Sequence, residues 1–425
     1  MRINQLHIKN FKGFEDKFFE FPEQVTVLIG DNATGKSSIL DALAVAAGTY
    51  LLGIESFPAV QIRSIKKEEI RSIYYEDGNE EKQGIVEIEA TGILDGEKIT
   101  WKRTLESEKG KTTTKSAQKL IKKVKALEVK HNEGKFNRPI IAYYGTGRLW
   151  AEHNQKQNSF SNNFGYIDCL TSKSSVKEFI AFYQLIDKQI GRDNSGNSIL
   201  TKICENSILA MIEGGVSMHY SHHRQDIIFT IKNKTTGNIE TKPFKQLSDG
   251  YRSMISLVAD IAFRSWAVNS RWGTTKEYEG IVLIDEIDLH LHPNWQRHVI
   301  SDLKRVFPKI QFIITTHSPF IVQELNSSEL INLEGGEPGS DPWRKSIEDI
   351  AEDEMNVQNV QRSTRFQAME EVAAKYYTLI EQGKTSQNSE DVAFLKQQLD
   401  DLELVFNDDP AYVALLKAER KSTLK

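Results

Sequence analysis

The stretch Gly30-Asp31-Asn32-Ala33-Thr34-Gly35-Lys36-Ser37-Ser38 decides the fold of this chain, because its surroundings agree with its pattern. It fits the spacing G-x-x-x-x-G-K-[ST] of a phosphate-binding loop. The apolar, β-branched run from Val25 to Ile29 precedes it and predicts a buried strand. Residues 38–44 follow with apolar side chains at helical spacing. A strand, a glycine loop and a helix in this order predict a site for phosphate groups.

The chemistry of this loop explains its residue types. Gly30 and Gly35 permit backbone conformations that a Cβ atom forbids, so successive N–H groups converge on one anion. The positive end of the following helix adds to this field. Lys36 is expected to neutralise the β- and γ-phosphates, and the Ser37 hydroxyl to bind Mg²⁺. The alternative, a glycine turn with a chance lysine, is disfavoured by the flanks, so we predict that the chain binds a nucleoside triphosphate. The predicted ligands within the loop are Asn32, Ala33, Thr34, Gly35, Lys36 and Ser37.

Composition limits the classes of function. The net charge of −5, from 54 Lys and Arg against 59 Asp and Glu, means that nucleic-acid binding would need a local basic patch. Cys169 and Cys204 lie far apart without a metal-ligand pattern, and we expect buried thiols in a reducing compartment. No apolar run is long enough to cross a bilayer, and the first residues do not resemble a signal peptide. We therefore expect a cytoplasmic protein with no membrane partner.

Two further apolar runs end in residues that suit phosphate chemistry. Residues 280–284 predict a central strand that ends in Asp285 and Glu286. Asp285 is expected to hold Mg²⁺ through water, and Glu286 to orient or deprotonate the attacking water. A buried acidic pair without a cation would be costly, which favours a metal over the alternative of two exposed acids. Residues 311–316 predict another strand, and the His317 that follows is either structural or a sensor of the γ-phosphate.

A long apolar-periodic helix is predicted to begin near Ser248 and Gly250 and to continue through Ala267. A serine and a glycine at a helix N-terminus make an anion site. The alternative is an ordinary helix cap, because serine is a favoured N-cap residue. From this stretch alone the two interpretations are equal.

Two other basic residues are candidates for the site. Lys12 lies in the predicted turn between two N-terminal strands, where it could reach the nucleotide. Arg148 follows the apolar strand predicted at 139–144 and the turn Gly145-Thr146-Gly147. A salt-bridged structural role explains Arg148 equally well.

The pattern changes between residues 84 and 137. Residues 84–92 and 98–105 alternate apolar and charged side chains, and Asp95-Gly96 between them is a hairpin signal. Residues 105–137 contain nine lysines against four glutamates and predict an amphipathic helix at about 115–130. This lysine-rich face is either ordinary solvated surface or a contact for DNA or RNA phosphates.

The remaining patterns are less specific. Helices are predicted at about 174–190 and 197–213, and a strand pair at 225–233 and 238–244. The tail from about residue 341 carries no catalytic constellation and either packs on the rest of the chain or mediates self-association or partner docking. Its predicted helices span about 363–382, 389–406 and 410–420.

Taken in order, these motifs resemble those of the ABC-type ATPase heads of the SMC, Rad50 and RecF group. The opening at residues 8–14 is also similar, and the resemblance covers about residues 1–50 and 240–335. It implies an α/β fold, namely a P-loop NTPase head of the ABC-ATPase type with a mixed central sheet, an antiparallel β subdomain, a helical insertion and C-terminal helices. The expected divisions are the head at 1–60 and 240–335, the subdomain and basic insertion at 61–239, and a helical region for oligomer or partner contacts at 336–425.

The resemblance also implies that two heads enclose two ATP molecules, with ATP and Mg²⁺ as cofactors. In that arrangement Glu286 activates water, Asp288 couples the two sites, and His317 contacts the γ-phosphate. Each ATP is contacted by Lys36, Ser37 and Ser38 of one head and by Ser248 and Gly250 of the other.

This sequence departs from the group in two places. The signature reads Leu-Ser-Asp-Gly-Tyr at 247–251 where the group has Leu-Ser-Gly-Gly-Gln. The glutamine that senses magnesium has no clear counterpart, since Gln155 and Gln157 lie in a region that does not align. The insertion is also too short and irregular for the paired heptad arms of SMC or Rad50 proteins.

Within the group, residues 143–150 and the short helical tail resemble the PtuA-type ATPase of Septu and related retron anti-phage systems. That resemblance implies a homodimer or higher homo-oligomer and a separate HNH-type nuclease subunit as partner. One alternative is a RecF-like DNA-binding ATPase in repair, acting through the basic segment at 105–137. A less favoured alternative is a transporter ATPase subunit, a class that lacks this insertion. A neighbouring reading frame that encodes an HNH nuclease would separate the first two.

Overall fold

The computed structural model describes residues 1–55, 57–106, 110–147, 163–171, 205–233, 236–269, 278–335, 340–357, 364–384 and 390–405. The chain divides into two units, Met1–Ile350 and Ala351–Lys425. The strands of the first unit are β1 (Arg2–Phe11), β2 (Phe14–Glu20), β3 (Val25–Ile29), β4 (Ser72–Tyr74), β5 (Glu80–Lys82), β6 (Val86–Leu94), β7 (Glu97–Leu105), β8 (Ile140–Tyr144), β9 (Gly215–Ser221), β10 (Asp226–Lys232), β11 (Ile239–Pro243), β12 (Glu279–Ile284), β13 (Lys309–Thr315) and β14 (Leu330–Asn332).

The helices of the first unit connect and cover these strands. They are α1 (Lys36–Gly48), α2 (Gln118–Asn132), α3 (Asp249–Ala267), α4 (Pro293–Gln296), α5 (Val299–Val306), α6 (Pro319–Val322) and α7 (Ile347–Asp349). Within the described parts of the chain, none of the helices combines the length and the apolar character that a bilayer span requires.

A five-stranded sheet in the order β14-β3-β13-β12-β8 forms the centre of the first unit. Each of its described pairings is parallel. β3 and β8 are buried along their whole length, which explains why they are continuous apolar runs without alternation. Because the strands are parallel, their carboxyl ends meet at one edge of the sheet. That edge therefore receives the phosphate loop after β3, the acids after β12 and the Thr-Thr-His run after β13.

The antiparallel strands form separate sheets, the largest in the order β2-β1-β6-β7. The expected α/β head is confirmed, and the expected antiparallel β subdomain corresponds to this sheet. The central sheet was expected to be mixed, and its described pairings are all parallel. The predicted hairpin is confirmed, with Asp95 and Gly96 both at positive φ in the turn between β6 and β7. β6 alternates buried and half-buried residues because only one of its faces packs on the core. In the neighbouring strand β7, Trp101 donates its indole N–H to the carbonyl of Ala46 in α1, at 2.9 Å.

The range 61–239 contributes to several layers of the first unit. β8, at 140–144, pairs with β12 in the central sheet. The predicted strand pair becomes β10 and β11, and β9 joins them in a three-stranded sheet that the sequence analysis did not predict in full. The helix predicted at 115–130 is found as α2. The helix predicted at 174–190 lies outside the described residues, and of that at 197–213 only 205–210 are described as helical.

The second unit contains two described helices, α8 (Thr364–Glu381) and α9 (Glu390–Val405). They confirm the helices predicted at 363–382 and 389–406, and the pattern at 410–420 lies outside the described residues. Their apolar faces share a small core that includes Met369, Tyr376, Val392 and Leu399.

Candidate nucleotide-binding site

The loop between β3 and α1 has a conformation that requires glycine at two positions. Gly30 has φ +142°, and a Cβ atom there would lie 2.9 Å from the Thr34 hydroxyl oxygen. Gly35 has φ +101°, and its Cβ would lie 2.5 Å from the ring of Phe14. Ala33 also has a positive φ, of 73°. The pattern of two glycines in the sequence thus reflects backbone geometry and a close approach of the β2 strand.

Lys36 is folded back on its own loop. Its Nζ donates to the carbonyl oxygens of Gly30, at 2.6 Å, and Asp31, at 2.8 Å. Burial lowers the pKa of Lys36, while the nearby carboxylates of Glu334 and Asp285 act in the opposite direction. Among the described residues, the hydrogen-bond partners of this ammonium group are backbone carbonyls, so it is well placed to turn towards an anion.

The Ser37 hydroxyl and the Asp285 carboxylate meet at the carboxyl edge of the sheet. Ser37 Oγ donates to Asp285 Oδ2 at 2.9 Å and lies 3.2 Å from Oδ1. Asp285 is buried, with 8% of its surface exposed. The structure therefore brings together the two residues that the sequence analysis assigned to the metal.

These oxygens suit a magnesium ion. Hard oxygen donors are what Mg²⁺ selects, and it is usually bound by one or two protein groups together with substrate phosphates. Over the described part of the chain, no three His, Cys, Asp or Glu side chains group as a self-contained metal site. The donor set of Ser37 and Asp285 thus fits an ion that arrives with a nucleotide.

Glu286 follows Asp285 with a backbone φ of 48°, in the left-handed region that non-glycine residues seldom adopt. Its N–H donates to Thr315 Oγ1 at 2.7 Å. The Glu286 side chain is partly exposed, unlike that of Asp285. The two adjacent carboxylates therefore lie in different environments, that of Asp285 buried beside Ser37 and that of Glu286 partly exposed.

Asp288 and His317 lie next to each other beyond the ends of β12 and β13. Asp288 Oδ1 accepts from Thr316 Oγ1 at 2.5 Å and from the His317 N–H at 3.3 Å. Ser318 Oγ in turn donates to Gln296 Oε1 at 2.6 Å. The two predicted site residues are therefore linked through the backbone of His317.

The N-terminus of α3 presents Ser248 and Gly250. The Ser248 side chain makes no capping hydrogen bond, so the ordinary-cap interpretation is not supported. None of the hydrogen bonds among the described residues joins Ser248 or Gly250 to the phosphate loop. A cavity of about 410 Å³ lies beside Ser248, and its lining includes Lys232, Lys242 and Tyr251.

The N-terminal end of α3, which carries the signature residues 247–251, packs on the segment that follows Asp288. A Cβ atom on Gly250 would lie 2.5 Å from the carbonyl oxygen of His290, so this position has no room for a side chain. Tyr251, which replaces the group's glutamine, contacts Trp295 edge to face with ring centroids 4.2 Å apart. The tyrosine thus serves as a packing residue between α3 and α4.

Lys12 is held by acidic side chains near α1. It has φ 50° in the turn between β1 and β2, its Nζ pairs with Asp41, and it lies 3.7 Å from Glu69 Oε1. Arg63 pairs with the same two carboxylates. The ion-pair cluster of Asp41, Arg63 and Glu69 with Lys12 was not predicted, because residues this far apart in the sequence give no local pattern.

The lysine-rich helix α2 divides into paired and unpaired lysines. Glu97, in β7, pairs with Lys119 at 3.4 Å and with Lys123 at 3.0 Å. Other exposed lysines between residues 105 and 137 make no ion pair with any described residue. They are Lys111, Lys115, Lys122 and Lys125.

Several predicted residues cannot be placed. Arg148, Gln155, Gln157 and Cys204 lie outside the described residues. Cys169 is buried, and burial raises the pKa of its thiol to about 12. The expectation of a buried thiol is confirmed for Cys169.

Comparison with known proteins gives a family and several relatives. Residues 25–323 match the family model described as "AAA domain, putative AbiEii toxin, Type IV TA system". The Retron Ec83 probable ATPase of Escherichia coli is 25% identical over 402 residues, covering 79% of this chain and 72% of the relative. The Retron Vc95 probable ATPase of Vibrio cholerae is 24% identical and covers 90% of this chain and 84% of the relative.

A Septu protein PtuA of Bacillus mycoides is 28% identical over 78% of this chain, and the match spans 40% of that longer protein. Among solved structures, the SmcHead bound to the C-winged helix domain of ScpA has a TM-score of 0.45 and 16% identity. It covers 77% of this chain and 93% of that chain.

Proposed function

We propose that this chain, which belongs to the AAA domain family described as putative AbiEii toxin, Type IV TA system, is the ATP-binding and hydrolysing subunit of an anti-phage defence complex. The resemblance predicted from the motif order is confirmed, since relatives named as retron ATPases and as Septu PtuA align with most of this chain. The chain is accordingly an SMC-like ATPase of the ABC type. The defence complex, its partner and the individual residue roles are our proposal.

The observation that carries the proposal is the contact between Ser37 and Asp285. These residues lie 248 positions apart, and their side chains meet at 2.9 Å at the edge where phosphate-binding loops of parallel sheets bind their ligands. Such a contact between a loop serine and a strand-end aspartate is the arrangement that P-loop NTPases use for Mg²⁺.

Within this site each residue has a distinct proposed role. Bound Mg²⁺–ATP supplies the phosphoryl group and the cation that offsets its charge. Lys36 turns from the loop carbonyls to the β- and γ-phosphates, and Ser37 and Asp285 face the metal. Glu286 accepts a proton from the attacking water, and His317 contacts the γ-phosphate. The phosphate ligands of the loop are Asn32, Ala33, Thr34, Gly35, Lys36, Ser37 and Ser38.

We further propose that two copies of the chain complete each other's sites. Ser248 and Gly250 would contact the nucleotide of the partner copy, and Asp288 would couple the two sites. In support, the Ser248 side chain makes no cap and the helix N-terminus adds a favourable field for an anion. The proposed assembly is a cytoplasmic homodimer or a higher homo-oligomer.

The proposed partner is an HNH-type nuclease whose activity ATP binding controls. This part of the proposal rests on the resemblance to PtuA-type ATPases. The nuclease subunit would cut the nucleic acid, and this chain would bind and hydrolyse ATP. A second candidate function, a RecF-like ATPase that binds DNA by itself, is favoured by the unpaired lysines of the α2 segment.

Co-purification separates these two functions. The tagged chain is expressed with the product of the neighbouring reading frame, with and without ATP, and the Lys36→Ala variant serves as the nucleotide-free control. We expect an HNH-type nuclease to co-purify, and its activity on nucleic acid to differ between the wild-type and Lys36→Ala complexes. A chain that captures no nuclease under either condition, yet binds DNA alone, would favour the RecF-like function.

A further inference from the structure

Two adjacent threonines at the end of β13 are fully buried at the rim of the proposed site. Thr315 and Thr316 each have 0% of their surface exposed. A buried threonine hydroxyl needs hydrogen-bond partners, and it can donate once and accept twice. Each of these two hydroxyls donates to a carboxylate of the proposed site and accepts from a backbone N–H.

Thr315 bridges the two acids that follow β12. Its Oγ1 donates to Asp285 Oδ1 at 2.6 Å and accepts from the Glu286 N–H at 2.7 Å. The donation to Oδ1 fixes the rotation of the Asp285 carboxylate, so that Oδ2 lies 2.9 Å from Ser37 Oγ. The acceptance holds Glu286 at its left-handed φ of 48°.

Thr316 makes the same kind of contact with a different acid. Its Oγ1 donates to Asp288 Oδ1 at 2.5 Å and accepts from the Ser318 N–H at 3.1 Å. The two threonines are therefore equal in burial and in hydrogen-bond number, and they differ in the carboxylate that each one holds.

We propose that Thr315 is a positioning residue for hydrolysis in the site of its own chain. Its single hydroxyl orients the Asp285 carboxylate towards the metal. The same hydroxyl holds the backbone of Glu286 in the conformation from which the Glu286 carboxylate can meet the attacking water. Thr316 positions Asp288 and leaves the metal ligands alone. This inference rests on the proposed roles of Asp285 and Glu286, and it adds a residue that touches neither nucleotide nor metal.

The test compares three variants of nearly equal size. Thr315→Val removes both hydrogen bonds and keeps the shape, Thr315→Ser keeps the hydroxyl, and Thr316→Val is the matched loss of a neighbouring buried hydroxyl. The measurements are kcat, KM, the Mg²⁺ concentration for half-maximal turnover, and the affinity for a fluorescent ATP analogue with and without Mg²⁺. Melting curves report whether each variant is folded.

We expect Thr315→Val to lower kcat on the order of 10–100-fold, the usual effect of removing a residue that orients a metal ligand. The Mg²⁺ requirement should rise, and affinity for the analogue should fall only when Mg²⁺ is present. Thr315→Ser should recover most of the turnover. Thr316→Val should keep the wild-type Mg²⁺ requirement, because its hydroxyl does not contact Asp285.

Three results would overturn the inference. They are wild-type kcat and Mg²⁺ dependence in Thr315→Val, identical profiles for the two valine variants, and a serine variant as impaired as the valine variant. If Thr315→Val does not fold, Thr315→Ala removes the same two hydrogen bonds with less crowding and is read by the same criteria. A wild-type chain that hydrolyses no ATP would instead contradict the proposed function itself.

Discussion

Glu286 illustrates how much of this site depends on the backbone of a single residue. Its φ of 48° has a cost of about 1–3 kcal/mol for a non-glycine residue. The hydrogen bond from its N–H to Thr315 helps to maintain this conformation. The Glu286 side chain is partly exposed, whereas that of Asp285 is buried, so Glu286 is the acid that water can reach.

Replacing Glu286 with Gln should separate binding from hydrolysis. The amide keeps the size and the backbone but cannot accept a proton, so we expect near-normal ATP affinity and turnover at least ~10²-fold slower. Calorimetry measures the binding, and phosphate release measures the turnover. Near-normal turnover in this variant would mean that another group positions the water.

At the scale of elements, α2 shows that the lysines of a charged helix differ in availability, because some are held in ion pairs and others are not. The turn and the start of β7 supply Asp95 and Glu97, which pair with Lys119, Lys123 and Lys130. Hydrogen bonds from Lys123 and Lys119 lower the pKa of Glu97. Lys122 and Lys125 are exposed and make no ion pair with any described residue, so they are the ones available to phosphates.

A charge reversal at Lys122 and Lys125 should therefore weaken nucleic-acid binding more than a reversal at Lys119 and Lys123. Each lost phosphate contact removes about 0.9 from the slope of log affinity against log salt, so the first double variant should lose about 1.8. Filter binding at several salt concentrations measures both variants beside the wild type. Equal slopes in all three proteins would assign the segment to ordinary solvated surface, and ATP turnover without nucleic acid should stay unchanged.

At the scale of the whole molecule, the proposed nucleotide ligands lie in two places within the first unit. The phosphate loop, Asp285 and Glu286 converge at the sheet edge, and Ser248 and Gly250 stand at the start of α3. The segment from Asp288 to His290 lies between these two places. Asp288 accepts a hydrogen bond from Thr316 at the end of β13, and the His290 carbonyl lies against Gly250 of α3. This arrangement suits a head that gives one half-site to its own nucleotide and another to that of a partner.

Mixing two inactive variants tests the shared site. Ser248→Arg blocks the contribution to the partner copy, at an exposed position that tolerates a longer side chain. Lys36→Ala abolishes nucleotide binding in its own copy, because it removes the cation that faces two phosphates. A heterodimer of the two has one intact site of two, so an equal mixture should recover about a quarter of wild-type turnover by random assortment. No recovery would indicate sites completed within one chain.

Much of this protein is determined by its sequence alone, because the governing physics is local. Continuous apolar runs identified β3, β12 and β13, and the pair Asp95-Gly96 identified its hairpin through a turn that requires positive φ. The spacing of Gly30, Gly35 and Lys36 identified the phosphate loop for the same reason, since each glycine meets a conformation or a close approach that a side chain forbids.

Only the tertiary structure decided which distant residues meet. The contact of Ser37 with Asp285, and the position of Thr315 between Asp285 and Glu286, follow from the order and register of parallel strands, which no short window of sequence contains. The pairing of Lys123 with Glu97 was likewise beyond local patterns. Local patterns set the type of each element through neighbouring side chains, whereas contacts between elements depend on how the whole chain buries its apolar faces at once.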